Sequence, residues 1–160
     1  MPTYQSRKIK NNVPATTQPY NLIPATFEVT VTAALSAADV IDCVTVPKYA
    51  KVVDFYIDVT DLDTNGSPTI TLDVGDDLDD NRFCADSVAG QAGGQITPAD
   101  GTFVDASLPF HNVDTDAGDN STDRTFRLTV GTGAATGVAG TVKGVVYYTM
   151  EDGYQEVPAA

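Results

Sequence analysis

One histidine, two cysteines and a run of acidic turns are the residues of this 160-residue chain whose chemistry needs testing first. His111 would have to act as the base of any Ser-His-Asp or Cys-His arrangement, since the chain has no other histidine. Its neighbours Pro109, Phe110 and Asn112 form no nucleophile motif, so a solvent-facing or hydrogen-bonded histidine at a strand end is expected. Cys43 and Cys84 lack the close spacing of zinc ligands or of a redox pair. Two buried thiols are expected, with one disulfide between them as the alternative.

Asp61, Asp63, Asn65 and Gly66 match the D-x-D-x-N-G opening of a calcium loop, which offers hard oxygen ligands at alternate positions. The twelfth position is Leu72 where such a loop needs a bidentate Glu, and Pro68 leads into a strand. An Asx-type turn without metal is therefore expected. Asp76, Asp77, Asp79 and Asp80 form a second acidic group that reads as solvated surface. Gly131 to Gly137 resembles a dinucleotide loop in composition, but it leads into a strand, so no helix N-terminus is present to hold a phosphate. It reads as a hairpin loop. A glycosidase would need two carboxylates across a cleft lined with sugar-stacking aromatics, and the chain has no Trp. No catalytic residue, cofactor or metal is expected, and no small-molecule substrate is suggested.

The strands that would have to position any such residue are written in the alternation of side chains. From Lys51, Val53, Phe55, Ile57 and Val59 fall on one face, and Asp54, Tyr56, Asp58 and Thr60 on the other. After a turn, Ile70, Leu72 and Val74 repeat the pattern, so a hairpin is expected over 51–77. Phe27, Val29 and Val31 alternate in an earlier strand, and Asp39 to Val46 form another that Pro47 ends. A short helix capped by Asp79, Asp80 or Asn81 is expected through Phe83, Cys84 and Val88. Short strands near 101–104 and 107–111 are followed by two longer ones. Phe126, Leu128 and Val130 share a face of the first, and Val142, Val146, Tyr148 and Met150 share a face of the second. Seven to nine short strands with no crossover helices predict an all-β fold, an antiparallel β-sandwich or jelly-roll-like barrel.

Residues 1–25 carry Pro2, Pro14, Pro19 and Pro24, which oppose a helix and a central strand. They read as an extended N-terminal arm with apolar anchors, preceding a single domain over 26–160. Net charge is −13, with Arg7, Lys8 and Lys10 and no acid before Glu28. A body this acidic repels nucleic acid and anionic lipid, and no apolar run approaches the ~20 residues of a membrane helix. The N-terminus also lacks the apolar segment of a secretory signal.

The segment Asp61 to Asp76, DLDTNGSPTITLDVGD, followed by Asp80-Asn81-Arg82-Phe83, resembles a pattern in small virion proteins of tailed bacteriophages. The upstream stretch from Asp39 to Phe55 and the closing strand Gly144 to Tyr148 extend the likeness over residues 39–150. Such proteins resemble head decoration, or cement, proteins. The resemblance implies a protein on the outer surface of the capsid that binds the major capsid protein as a homotrimer. It also implies a β-rich body with an extended arm. The capsid-contacting residues proposed from chemistry alone are Tyr4, Arg7, Lys8, Ile9, Lys10 and Tyr20, since an extended segment can add a strand to a neighbour's sheet. A receptor- or glycan-binding module of a tail or other appendage is the alternative. Its loop tips should carry aromatics, whereas Tyr49, Tyr56, Tyr147, Tyr148 and Phe110 fall in or beside predicted strands.

Overall fold

The computed structural model describes residues 22–47, 50–98, 111–112 and 123–150. Among them lie nine strands: β1 (Ile23–Val31), β2 (Val40–Val46), β3 (Ala50–Val59), β4 (Thr71–Gly75), β5 (Cys84–Ser87), β6 (Gly94–Ile96), β7 (His111–Asn112), β8 (Arg124–Thr132) and β9 (Gly140–Met150). They form two antiparallel sheets. One has the order β1-β9-β3-β6, with β7 also on β3, and the other has the order β2-β8-β4-β5. The chain is an all-β sandwich, as the alternating pattern predicts.

The expected 51–77 hairpin does not form. β3 pairs with β9 in the first sheet, whereas β4 pairs with β8 in the second, so residues 60–70 cross between layers. Alternation fixes which side chains face the core, but it is silent on which strand is the partner. The buried Leu62 and Ile70 within the crossing tie it to the core and leave no room for a tight turn. The 131–140 segment crosses in the opposite direction, from β8 to β9, and is likewise not a hairpin loop.

A bulge between Val52 and Asp54 changes the phase of β3. Val52 is fully buried and Val53 only half-buried, the reverse of the strict alternation expected there. Beyond the bulge, Phe55, Ile57 and Val59 point inward as predicted. Pro24 lies inside β1, where it is tolerated because β1 is an edge strand.

The expected helix is replaced by β5, preceded by a tight turn and followed by a single 3-10 turn at Ala89–Gln91. Of the residues that would cap a helix, Asp79 is used in the turn, its Oδ1 accepting the Asn81 N–H (3.4 Å). Asp76 Oδ1 accepts the N–H groups of Leu78 (2.9 Å) and Asp79 (3.0 Å), and the Asp76 N–H donates to the Asp79 carbonyl. Phe83 then donates its N–H to the Val74 carbonyl and starts the pairing of β5 with β4.

The core is centred on four phenylalanines. Phe126 lies 5.5 Å from Phe83, 5.7 Å from Phe55 and 6.4 Å from Phe27, measured between ring centroids. Gly144 of β9 makes this packing possible, because it sits opposite Phe27 on one side and Ile57 on the other. A Cβ there would overlap the Tyr56 carbonyl oxygen and the Phe27 ring. Gly144→Ala is expected to destabilise the protein by about 1–3 kcal/mol through overpacking, read as a lower urea midpoint.

Candidate interaction surface

The D-x-D-x-N spacing turns out to be a series of Asx turns, each acid or amide capping the N–H two residues on. Asp61 Oδ1 accepts from Asp63 N (2.9 Å), Asp63 Oδ1 from Asn65 N (3.4 Å), and Asn65 Oδ1 from Ser67 N (2.9 Å). The central member is fully buried. Asp63 Oδ2 also accepts the N–H groups of Thr69 (2.7 Å), Ile70 (3.3 Å) and Ala135 (2.9 Å), and its Oδ1 accepts that of Thr136 (2.7 Å).

One carboxylate thus joins the two segments that cross between the sheets. Burial pushes the Asp63 carboxyl up, but the N–H groups of Thr136, Thr69, Ala135 and Asn65 outweigh it and hold it well below the usual carboxylate range. The surroundings of Asp63 are anion-binding, so its oxygens are not presented to a cation. The matching segment is a structural joint built of Asx turns, the turn type expected from Leu72 and Pro68. Among the described residues, no group of three or more His, Cys, Asp or Glu is placed to hold a metal ion.

The second acidic group is also partly structural. Asp76 is buried and its Oδ2 lies 2.8 Å from Arg82 Nε, so this member of the group is an internal ion-pair partner and not solvated surface. Gly75 permits the turn, since a Cβ there would overlap the Asp79 carbonyl and the Asp80 backbone.

Cys43 and Cys84 are both free thiols, on β2 and β5 at opposite edges of the same four-stranded sheet. Three strand spacings of ~4.8 Å separate them by about 14 Å, twice the ~7 Å limit for a disulfide. Burial, with a smaller push from the Asp42 charge, moves the Cys43 thiol up to about 12 against the opposing Leu128 backbone hydrogen bond. Cys43 is therefore expected to resist iodoacetamide at pH 8 in the folded protein and to react once unfolded, a difference mass spectrometry reads directly. His111 lies on β7, opposite Val52 of β3, at the strand position expected for it.

Tyr4, Arg7, Lys8, Ile9, Lys10 and Tyr20 lie outside the described residues. The segment that bears them enters the body at Leu22, which is half exposed and leads into edge strand β1.

The outer face of the β1-β9-β3 sheet is a candidate interaction surface. Pairing places Glu28, Lys143 and Asp58 in one row across three strands, and Thr26, Val145 and Tyr56 in the next. A cleft of about 530 Å³ opens beside the charged row and is lined also by Thr60, Gln95 and Thr141. Tyr56 is exposed. Partial burial, the charge of Asp58 and a hydrogen bond to Asp58 push its hydroxyl above the usual range. Alternation placed Tyr56 and Asp58 on the face opposite Phe55 and Ile57, but the row itself depends on β9 lying between β1 and β3. Strand order is not written in local sequence.

No protein-family model matches the chain, and no curated protein matches it. Two solved structures do. A chain of the cyanophage Pam1 capsid asymmetric unit is similar with a TM-score of 0.67 and 25% identity, over 94% of this chain and 99% of that one. A chain of the Ralstonia phage GP4 capsid is similar with a TM-score of 0.61 and 28% identity, over 82% of this chain and 84% of that one.

Proposed function

We propose that this protein is a decoration, or cement, protein that binds the outer surface of a phage head and stabilises contacts between subunits of the major capsid protein. The observation that carries the reading is the end-to-end likeness to a chain of a phage capsid, spanning 94% of one chain and 99% of the other. Because the match covers nearly the whole of both, the relative is itself a small single-sandwich chain of similar length. That supports an accessory structural protein of the virion over a domain cut from a larger shell subunit.

The role needs no catalysis. A protein that binds the assembled shell and not its dispersed subunits stabilises the shell by mass action, in proportion to the logarithm of its concentration over its dissociation constant. Trimerisation around a lattice point would multiply weak contacts through effective concentration. The charge division fits such docking, with three basic residues before Glu28 and a net −16 after them. Tyr4, Arg7, Lys8, Ile9, Lys10 and Tyr20 would make the shell contacts, and the acidic body would keep free copies apart until docked.

The test is co-sedimentation of the full chain, and of a version lacking residues 1–21, which leaves β1 whole, with assembled capsids that lack this protein. Saturable binding by the full chain, lost or reduced at least tenfold without the arm, is expected. If neither version sediments with the shell, the decoration role is wrong. Binding that survives loss of the arm would move the contact to the body, with the Glu28–Lys143–Asp58 face as the next surface to mutate.

A further inference from the structure

Asn65–Gly66 is an asparagine followed by glycine, the dipeptide in which the next backbone nitrogen is least hindered in reaching the asparagine side chain. In the reaction, the Gly66 nitrogen loses its proton and attacks Asn65 Cγ. The Cγ–Nδ2 bond breaks and Nδ2 leaves as ammonia, having taken up a proton from solvent, and a five-membered succinimide remains. Water then opens the ring. Cleavage at Cγ gives an aspartate at position 65, and cleavage at the main-chain carbonyl gives an isoaspartate, with the backbone rerouted through the side chain. Either product is heavier than the starting chain by one mass unit.

We infer that Asn65–Gly66 is a deamidation site that the folded loop holds back, and that the contact between the Asn65 amide and Thr136 sets the rate at which it reacts. Closing the ring requires the side chain to swing Cγ towards the Gly66 nitrogen, and both of its ends are tied. Asn65 Oδ1 accepts the Ser67 N–H at 2.9 Å, and Nδ2 donates to Thr136 Oγ1 at 2.9 Å. The departing nitrogen is thus the atom bound across to the other crossing segment. The main chain is tied as well, through Asn65 N to Asp63 and through the Thr64 N–H to the Thr136 carbonyl (3.1 Å).

No steric barrier protects the site. Gly66 is exposed, and the space where its Cβ would lie is empty out to 4 Å, so water can reach a ring once formed. Protection is therefore conformational, and weakening the tie should release it. The isoaspartate product lengthens the main chain between Asp63 and Thr69, two residues whose spacing the Asp63 carboxylate fixes through the Thr69 N–H. The modified chain should be the less stable one.

The experiment follows deamidation of the full chain at neutral pH and 37 °C, by mass spectrometry of the tryptic peptide spanning 52–82, with fragmentation to separate Asn65 from Asn81. The native chain is expected to react at least tenfold more slowly than the same chain in urea, and Thr136→Val severalfold faster than the native parent. A melting curve and a urea midpoint for Thr136→Val accompany the rates. A faster rate in a variant that is still fully folded assigns the effect to the local tie. Equal rates for native and urea-unfolded chains would overturn the inference of protection. A folded Thr136→Val variant that reacts at the parental rate would overturn the assignment to Thr136. If that variant proves largely unfolded, Thr136→Ser, which keeps the hydroxyl, must stay at the parental rate for the assignment to stand.

Discussion

Replacing Asp63 by Ala lowers the melting temperature by more than about 10 °C, a loss expected only for substitutions that break a buried network. The side chain is fully buried and accepts five backbone N–H groups, from Asn65, Thr69, Ile70, Ala135 and Thr136. The Ile70 N–H is buried, and an unsatisfied buried donor is costlier than the bond it replaces, while the four partly buried donors each lose a bond to a charged acceptor. They also belong to both segments that cross between the sheets, so their loss loosens the same end of both layers. Asp63→Asn tests the charge separately, because it keeps the size but can aim an N–H₂ group at backbone donors. Both variants should melt well below the parent in circular dichroism. A melting temperature within a few degrees of the parent for Asp63→Ala would show that the joint does not hold the sandwich together.

The same carboxylate predicts how stability responds to acid. Its folded-state affinity for protons is depressed by the surrounding N–H groups, while in the unfolded chain it titrates near ~3.9. Protonation therefore favours the unfolded state. The contribution of Asp63 is whole above the unfolded value and declines as pH falls from about 5 towards the folded value, since there the unfolded chain binds more protons. The parent should lose stability steeply below pH 4, and Asp63→Asn should lose less over the same interval.

The burial pattern was legible in the sequence because alternation across a strand is a local property. Phe27, Phe55, Ile57, Leu72, Val74, Phe126, Leu128, Val130, Val142 and Val146 are all buried as their spacing implies. The partners of those strands were not legible. β3 and β4 are consecutive and both alternate, yet they lie in different sheets, because pairing is settled by contacts far apart in sequence. Cys84 looked helical for a related reason, since Asp79, Asp80 and Asn81 serve equally as helix caps and as turn formers, and the need of β4 for a neighbour decides between them. The spacing of Asp61, Asp63 and Asn65 is shared by calcium loops and by successive Asx turns, and Leu72 and Pro68 decide for the turn. What local sequence does not show is that the Asp63 carboxylate also takes the N–H groups of Ala135 and Thr136, more than seventy residues away.

Phe126→Ala should have an effect of comparable size by a different route, a loss of about 3–5 kcal/mol read from urea unfolding. Among the four described phenylalanines, Phe126 is the one in contact with the other three, reaching Phe27 and Phe55 in the opposite sheet and Phe83 at the start of its own sheet's edge. Its removal forfeits three aromatic contacts and opens a void between the two layers. Neighbouring rings cannot easily collapse into the gap, because Phe27 is held over Gly144 and Phe55 is pinned between β9 and the Phe83 ring, 6.2 Å away. Phe126→Leu keeps most of the volume and should cost about half as much, which separates cavity formation from any special role of the ring. Glu28, Lys143 and Asp58 lie on the outer face of the opposite sheet, away from Phe126, so a change at Phe126 tests the core without touching that face. On the proposed decoration role, folded Phe126→Leu should co-sediment with capsids as the parent does. Charge reversal at Lys143, which leaves the core untouched, is the change that reports on that face.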